Sequence, residues 1–208
     1  MAVAGLGLVL LGPVLLGVAL AVRLTSRGSV LFRQVRLGQD RREFTILKFR
    51  TMRVARTGAG PEVTAPGDAR ITAVGAMLRR TSLDELPQLL NVLRGDMTLV
   101  GPRPETPALA ARYPAHCRWV LEHRPGLTGP TQVRLRDFNS IPPRVQDAEQ
   151  WYLEHLVTAR VSSDLSYLSR PTLAATVGVL VDTAGQLLSL LSGRPSGSAE
   201  PPAGHSAR

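Results

Sequence analysis

The first apolar run is the longest. From Met1 to Val22 no side chain carries a charge, and at about 1.5 Å per residue a helix of that length reaches across the hydrocarbon core of a bilayer. Gly12 and Pro13 stand in its middle. Proline removes a backbone hydrogen bond and clashes with the preceding turn, so the run is predicted to break there and fold back as a re-entrant hairpin. A straight span and a cleaved signal peptide are the alternatives. No basic segment precedes the run, while Arg23 and Arg27 follow it, the charge order of a segment whose downstream side stays cytoplasmic.

Beyond Ser29 the pattern shortens. Val30-Leu31-Phe32 and Phe44-Thr45-Ile46-Leu47 flank a polar stretch containing Gly38-Gln39-Asp40, which predicts a β-hairpin. Residues 56–67, rich in Gly, Pro and Ala, are predicted to form a mobile loop. Helical spacing follows over Ala69 to Arg80 and Leu86 to Leu93, then a rigid turn at Gly101-Pro102-Arg103-Pro104, one or two helices from Glu105 to Glu122, and a second rigid loop from Arg124 to Pro130. Between Pro171 and Ser192 the residues Leu173, Val177, Leu180, Val181, Leu187, Leu188 and Leu191 fall near one helical face, with Asp182 the only charge. Such a helix either lies in a membrane interface or packs as a core helix. Residues 193–208 read as a disordered tail.

Charge narrows the partners. The chain of 208 residues has a formal charge of +9 carried almost wholly by arginine, since Lys48 is the only lysine, and this implies an anionic partner: nucleic acid, phospholipid or sugar phosphate. Aromatic residues make up only 4%, too few for the stacking platforms that single-stranded nucleic acid needs. The single cysteine, Cys117, excludes an internal disulfide and a thiolate metal cage.

The candidate chemistry lies in Thr81-Ser82-Leu83-Asp84-Glu85-Leu86-Pro87. Ser82 to Glu85 fits a capping box and Pro87 favours a first helical turn, so both carboxylates are expected near the positive end of a helix dipole, which favours the ionised form of Asp84 and attracts phosphate. A capping box alone is an ordinary structural device. However, Arg79, Arg80, Arg94 and Arg103 crowd the pair in sequence, and arginine's planar fork matches phosphate oxygens. Mixed signs suit a divalent cation together with a phosphoryl group; a solvated charge mixture on a surface helix is the alternative.

These residues resemble the bacterial sugar transferases, also called monotopic phosphoglycosyl transferases. The resemblance rests on Val30-Leu31-Phe32-Arg33-Gln34 with Gly38, on Leu47-Lys48-Phe49-Arg50-Thr51-Met52, on Asp68 with Arg70-Ile71-Thr72 and Gly75, on the block from Leu78 to Glu105, and on Arg124 to Gly129. It covers roughly residues 6 to 170. The resemblance implies a two-step transfer of sugar-1-phosphate from a UDP-sugar to a polyprenyl phosphate with release of UMP, on the cytoplasmic face of the inner membrane, as the first membrane step of glycoconjugate or exopolysaccharide assembly. It implies Asp84 as the nucleophile that carries the sugar phosphate, Glu85 as the adjacent acid, and Mg²⁺ held by Asp84 and Glu85. It further implies Lys48, Arg50, Arg79, Arg103 and Arg124 as phosphate or nucleotide contacts, and Gly12 with Pro13 as the membrane break.

The chain departs from the family pattern in three places. It begins almost inside the apolar helix, without the short charged stretch that usually precedes it. Gly12 replaces the usual serine, and Pro130-Thr131-Gln132-Val133 replaces a WAQV-type sequence, which leaves the sugar open. The expected fold is α+β: a small, mainly helical, membrane-associated domain with a short β-hairpin, a re-entrant N-terminal helix and interfacial amphipathic helices. Its expected parts are a membrane helix over 1–27, a catalytic domain over 28–170, an amphipathic or core-packing helix over 171–192, and the tail. Partners are a UDP-sugar, polyprenyl phosphate and the lipid bilayer, with a homodimer left open and no nucleic acid. The rival readings are a non-catalytic basic protein that binds anionic membrane or nucleic acid, and a glycosyltransferase that would release UDP.

Overall fold

The computed structural model describes residues 1–53, 68–134 and 147–192. The predicted mobile loop over 56–67 and the predicted tail over 193–208 lie outside them.

The N-terminal run forms helix α1 (Ala2–Leu10) and helix α2 (Gly12–Thr25), which bend by 61° at the break. Pro13 sits in the first turn of α2, the one stretch of a helix where its missing N–H costs nothing. Both helices dock on the body of the protein. Ala4 of α1 is buried with Ile46, Leu89, Val92 and Met97, while Val18 and Val22 of α2 are buried with Phe49 and Leu78. The outer residues of both helices, among them Val3, Leu6, Val9, Leu10, Leu16, Leu20 and Leu24, are exposed.

The hairpin is present as strands β1 (Leu31–Leu37) and β2 (Glu43–Phe49), antiparallel from Leu31 opposite Phe49 to Leu37 opposite Glu43. Its turn is a short 3-10 segment, Gln39–Arg41, with Asp40 and Arg41 at positive φ. The outer edge of β2 is covered by an amide side chain. Asn91, fully buried, accepts from the Leu47 backbone N–H at 3.1 Å and donates to the Thr45 carbonyl at 2.8 Å, satisfying groups that an open strand edge leaves unpaired.

Helix α3 (Ala73–Thr81) starts later than its apolar spacing suggests, because Thr72 caps it by accepting from the Gly75 N–H at 2.9 Å. Gly75 is required for packing, since a Cβ there would collide with the Thr51 carbonyl, two residues past β2. The predicted capping box at Ser82 does not form. Ser82 is left-handed (φ 54°) and closes α3, and its side chain makes no cap hydrogen bond to the next turn. Leu83–Gln88 then runs as a 3-10 turn into helix α4 (Leu89–Arg94), with Asp84 and Glu85 in the first turn. The dipole placement of the pair therefore holds while its capping role fails.

Strand β3 (Thr98–Val100) pairs in parallel with strand β4 (Gly126–Thr128), a pairing the hydrophobic pattern does not reveal. Between them, Glu105 to Glu122 splits into helix α5 (Pro107–Ala111) and the 3-10 segment Ala115–Glu122. Helix α6 (Pro130–Arg134), helix α7 (Ala148–Trp151), the π-helical turn Tyr152–Leu156 and helix α8 (Val157–Ser169) complete the body. Leu109, Tyr113, Cys117, Leu156, Val157 and Val161 belong to the largest buried cluster, in which each leucine or valine contributes roughly 1.5–3 kcal/mol.

Helix α9 (Leu173–Leu191) is not a core helix: none of its Leu173–Leu190 stretch is buried. Thr183 meets Thr128 at 2.8 Å and Gln186 donates to the Val133 carbonyl, but Leu173, Val177, Val181 and Leu188 remain exposed. Among the described residues, α9 is long and apolar enough to cross a membrane, and α1 with α2 pass the same test only as a bent pair.

Candidate active site

Lys48 leaves β2 toward the 3-10 turn, where its Nζ stands 2.6 Å from Glu85 Oε1. Arg103, in the turn after β3, approaches the same oxygen at 3.9 Å. Glu85, Lys48 and Arg103 line a cleft with Arg36, Gln88 and Gln132. Asp84, one residue away, is itself only 8% exposed.

Burial decides the charge state of Asp84. It pushes the carboxyl up to about 6, and the neighbouring Glu85 pushes in the same direction, while Lys48 and Arg79 oppose. The dipole-based expectation of an easily ionised Asp84 is thus corrected: a low-dielectric setting and a like charge outweigh the helix terminus. Burial also lowers Lys48, against the pull of Glu85 and Asp84. Burial works against the Arg103 charge too, but Glu85 and Glu105 outweigh it, and its pKa is raised.

Of the five predicted phosphate contacts, the structure gathers three around the acidic pair. Arg79, whose Nε donates to Thr51 Oγ1 at 2.8 Å, lies within electrostatic reach of Asp84, as does Lys48, while Arg103 reaches Glu85. Arg50 turns elsewhere and donates to the Ser26 carbonyl and hydroxyl at 2.8 and 2.9 Å, where it joins the end of α2 to β2. Arg124 is exposed and donates to Gln39 Oε1 at 3.2 Å. Arg80 and Arg94 are exposed on their helices, and Asp96 accepts from Asn91.

Sequence reasoning missed a buried network behind Arg103. Tyr152 Oη donates to Glu105 Oε1 at 2.5 Å, Arg160 donates to Tyr152 Oη at 2.7 Å, and Arg36 and Arg160 stand 4.0 and 3.9 Å from the Glu105 carboxylate. The only signal in the sequence was Glu105 directly after the Gly-Pro-Arg-Pro turn. Among the described residues no group of three or more His, Cys, Asp or Glu could hold a metal. A cation at this site would draw on Asp84 and Glu85 and complete its shell with phosphate oxygens and water, which is how Mg²⁺ is ordinarily bound.

Comparison with known proteins adds the lineage. The chain is 41% identical over 183 residues to a UDP-glucose:undecaprenyl-phosphate glucose-1-phosphate transferase of Caulobacter vibrioides, covering 86% of this chain and 64% of the relative. It is 38% identical to an exopolysaccharide production protein of Rhizobium leguminosarum, covering 85% of this chain and 86% of the relative. A UDP-N-acetylgalactosamine-undecaprenyl-phosphate N-acetylgalactosaminephosphotransferase of Aeromonas hydrophila is 39% identical, with 60% of this chain and 30% of the relative covered. The chain thus spans less than two thirds of the first and third of these. A family profile described as bacterial sugar transferase matches residues 1–190, and the chain belongs to that family.

Proposed function

We propose that this protein transfers a sugar-1-phosphate from a UDP-sugar to a polyprenyl phosphate at the cytoplasmic face of the inner membrane, through a covalent intermediate on Asp84. The observation that carries this reading is the convergence of Lys48 and Arg103, at 2.6 and 3.9 Å, on Glu85, which shares its 3-10 turn with the buried Asp84 carboxyl. The names of the Caulobacter and Aeromonas relatives support the donor and acceptor classes, with UDP-glucose as the first donor to test.

In the first step an Asp84 carboxylate oxygen attacks the β-phosphorus, and the bond from that phosphorus to the bridging oxygen breaks. UMP leaves with the bridging oxygen. In the second step a phosphate oxygen of the polyprenyl phosphate attacks the same phosphorus, and the Asp84 carboxylate departs unchanged. A carboxylate nucleophile thereby divides one displacement between two bulky anions into two. Lys48 and Arg103 hold Glu85 and face the phosphate oxygens, offsetting their charge within the cleft. Mg²⁺ bound at Asp84 and Glu85 would neutralise further charge on the diphosphate. Release of UMP from a UDP-sugar by vesicle-embedded protein is the test: UMP supports the reading, and UDP would replace it with direct glycosyl transfer.

The membrane part of the proposal rests on the exposed apolar sides of α1, α2 and α9. With the 61° bend at Gly12 and Pro13, neither half of the pair needs to cross the hydrocarbon, and both ends stay cytoplasmic. In a Cys117→Ser background, a cysteine at position 2 is expected to resist a membrane-impermeant thiol reagent added outside intact cells. Adding Pro13→Leu restores an unbroken apolar run and is expected to expose that cysteine to labelling. Labelling without the Pro13 change would establish a straight span.

A further inference from the structure

Two neutral amides stand among the charged and apolar side chains that line the cleft. Gln88 is only 2% exposed, and its Nε2 is buried without a hydrogen-bond partner, as is Oε1 of Gln132. Both residues line the cleft beside Lys48, Glu85 and Arg103. A buried polar atom left unpaired costs roughly 1–3 kcal/mol, so a donor and an acceptor left unpaired in one cleft point to a ligand that supplies the missing partners.

Gln132 is also firmly placed. Its helix, α6, is fixed by Thr131, whose N–H donates to the buried Asp164 at 3.1 Å and whose hydroxyl donates to the Arg160 carbonyl at 2.9 Å. Gly129 completes the arrangement: a Cβ there would lie 2.7 Å from Gln132 Oε1 and would collide with the Gly101 carbonyl. Gln88 is placed by the 3-10 turn itself, four residues after Asp84, so the two lie about one turn apart, roughly 6–8 Å along the axis.

Resting on the donor reading above, we infer that Gln88 and Gln132 recognise hydroxyl groups of the transferred sugar, with Gln88 Nε2 donating to one hydroxyl oxygen and Gln132 Oε1 accepting from a hydroxyl proton. Hydroxyls both donate and accept, which matches this pair, whereas the phosphates are served by the arginines and the lysine. Position favours the sugar over the uracil. The sugar is attached through one oxygen to the phosphorus that Asp84 attacks, while the base lies beyond a second phosphate and a ribose.

The test uses vesicle-embedded full-length protein with polyprenyl phosphate, UDP-glucose, its single-deoxy analogues and UDP-galactose. In the wild type, at least one deoxy analogue is expected to lose about tenfold or more in kcat/KM, because a site that bonds a hydroxyl rejects its absence. In Gln88→Met and Gln132→Met, the KM for UDP-glucose is expected to rise by about tenfold, the penalty for the deoxy analogue to shrink, and inhibition by UMP to stay unchanged. Wild-type indifference to every deoxy analogue overturns the inference even if neither variant folds. Active variants with wild-type discrimination also overturn it, as does an equal weakening of UMP inhibition, which assigns the pair to the uridine. Absence of UMP release by the wild type from any UDP-sugar would instead defeat the donor reading itself.

Discussion

Asp84→Asn is expected to abolish turnover, by on the order of 10³-fold or more, while leaving the protein folded. Amide and carboxylate are nearly isosteric, but only the carboxylate attacks phosphorus. The physical environment of Asp84 adds a second expectation that separates loss of the nucleophile from loss of the fold. Its folded-state pKa of about 6 lies above its ordinary value of 3.8, so the stability it contributes is fully present below the unfolded pKa and is lost as pH rises through about 6. At pH 8 the wild type therefore holds a buried negative charge at a cost of up to about 3 kcal/mol. The asparagine variant carries no such charge. Its melting temperature at pH 8 is expected to equal or exceed that of the wild type, and its advantage to vanish near pH 4. Turnover within a few fold of wild type would remove Asp84 from the chemistry, and a large fall in melting temperature at pH 8 would make the residue structural.

Lys48→Met is expected to lower kcat/KM by about 10²-fold at neutral pH and to move the acid limb of the pH profile upward. Lys48 pairs with Glu85 at 2.6 Å and is one of the two cations that hold the Asp84 carboxyl down. Asp84 must be ionised to attack, so wild-type activity is expected to fall as pH drops through about 6. Without the lysine, burial and Glu85 act on Asp84 with only Arg79 and a backbone hydrogen bond left to oppose them, and a higher pH is needed to ionise it. Measuring kcat/KM from pH 5 to 9 checks this. A uniform loss without a shifted limb would reduce Lys48 to a phosphate contact, and no loss would confine it to lipid head groups.

Much of the architecture was legible because it is local. Proline in an apolar run marks the bend between α1 and α2, alternation around a polar turn marks the β1–β2 hairpin, and 3.6-residue spacing marks α9. The acidic pair and its surrounding arginines could be recognised from spacing and resemblance, and three of the cations, Lys48, Arg79 and Arg103, do gather around it. What failed were inferences that carried local rules beyond their range. Ser82 matches a capping box letter for letter, yet it sits at positive φ and ends the preceding helix. The contacts of Arg50, which belongs to the same motif as Lys48, were likewise not legible: its Nη2 bonds Ser26 at the foot of α2.

Local residue order was enough to specify most of the helices and the hairpin, where the apolar faces lie and which titratable groups are available. The states of those groups came from the folded arrangement: Lys48 meets Glu85 across 37 positions, Asn91 covers the β2 edge across 44, and Glu105 meets Tyr152 across 47. Local patterning reaches only one or two turns along the chain, whereas burial and pairing depend on elements far apart in sequence. The charge on Asp84 is therefore set by the surfaces that close over it, which no stretch of residues around position 84 specifies.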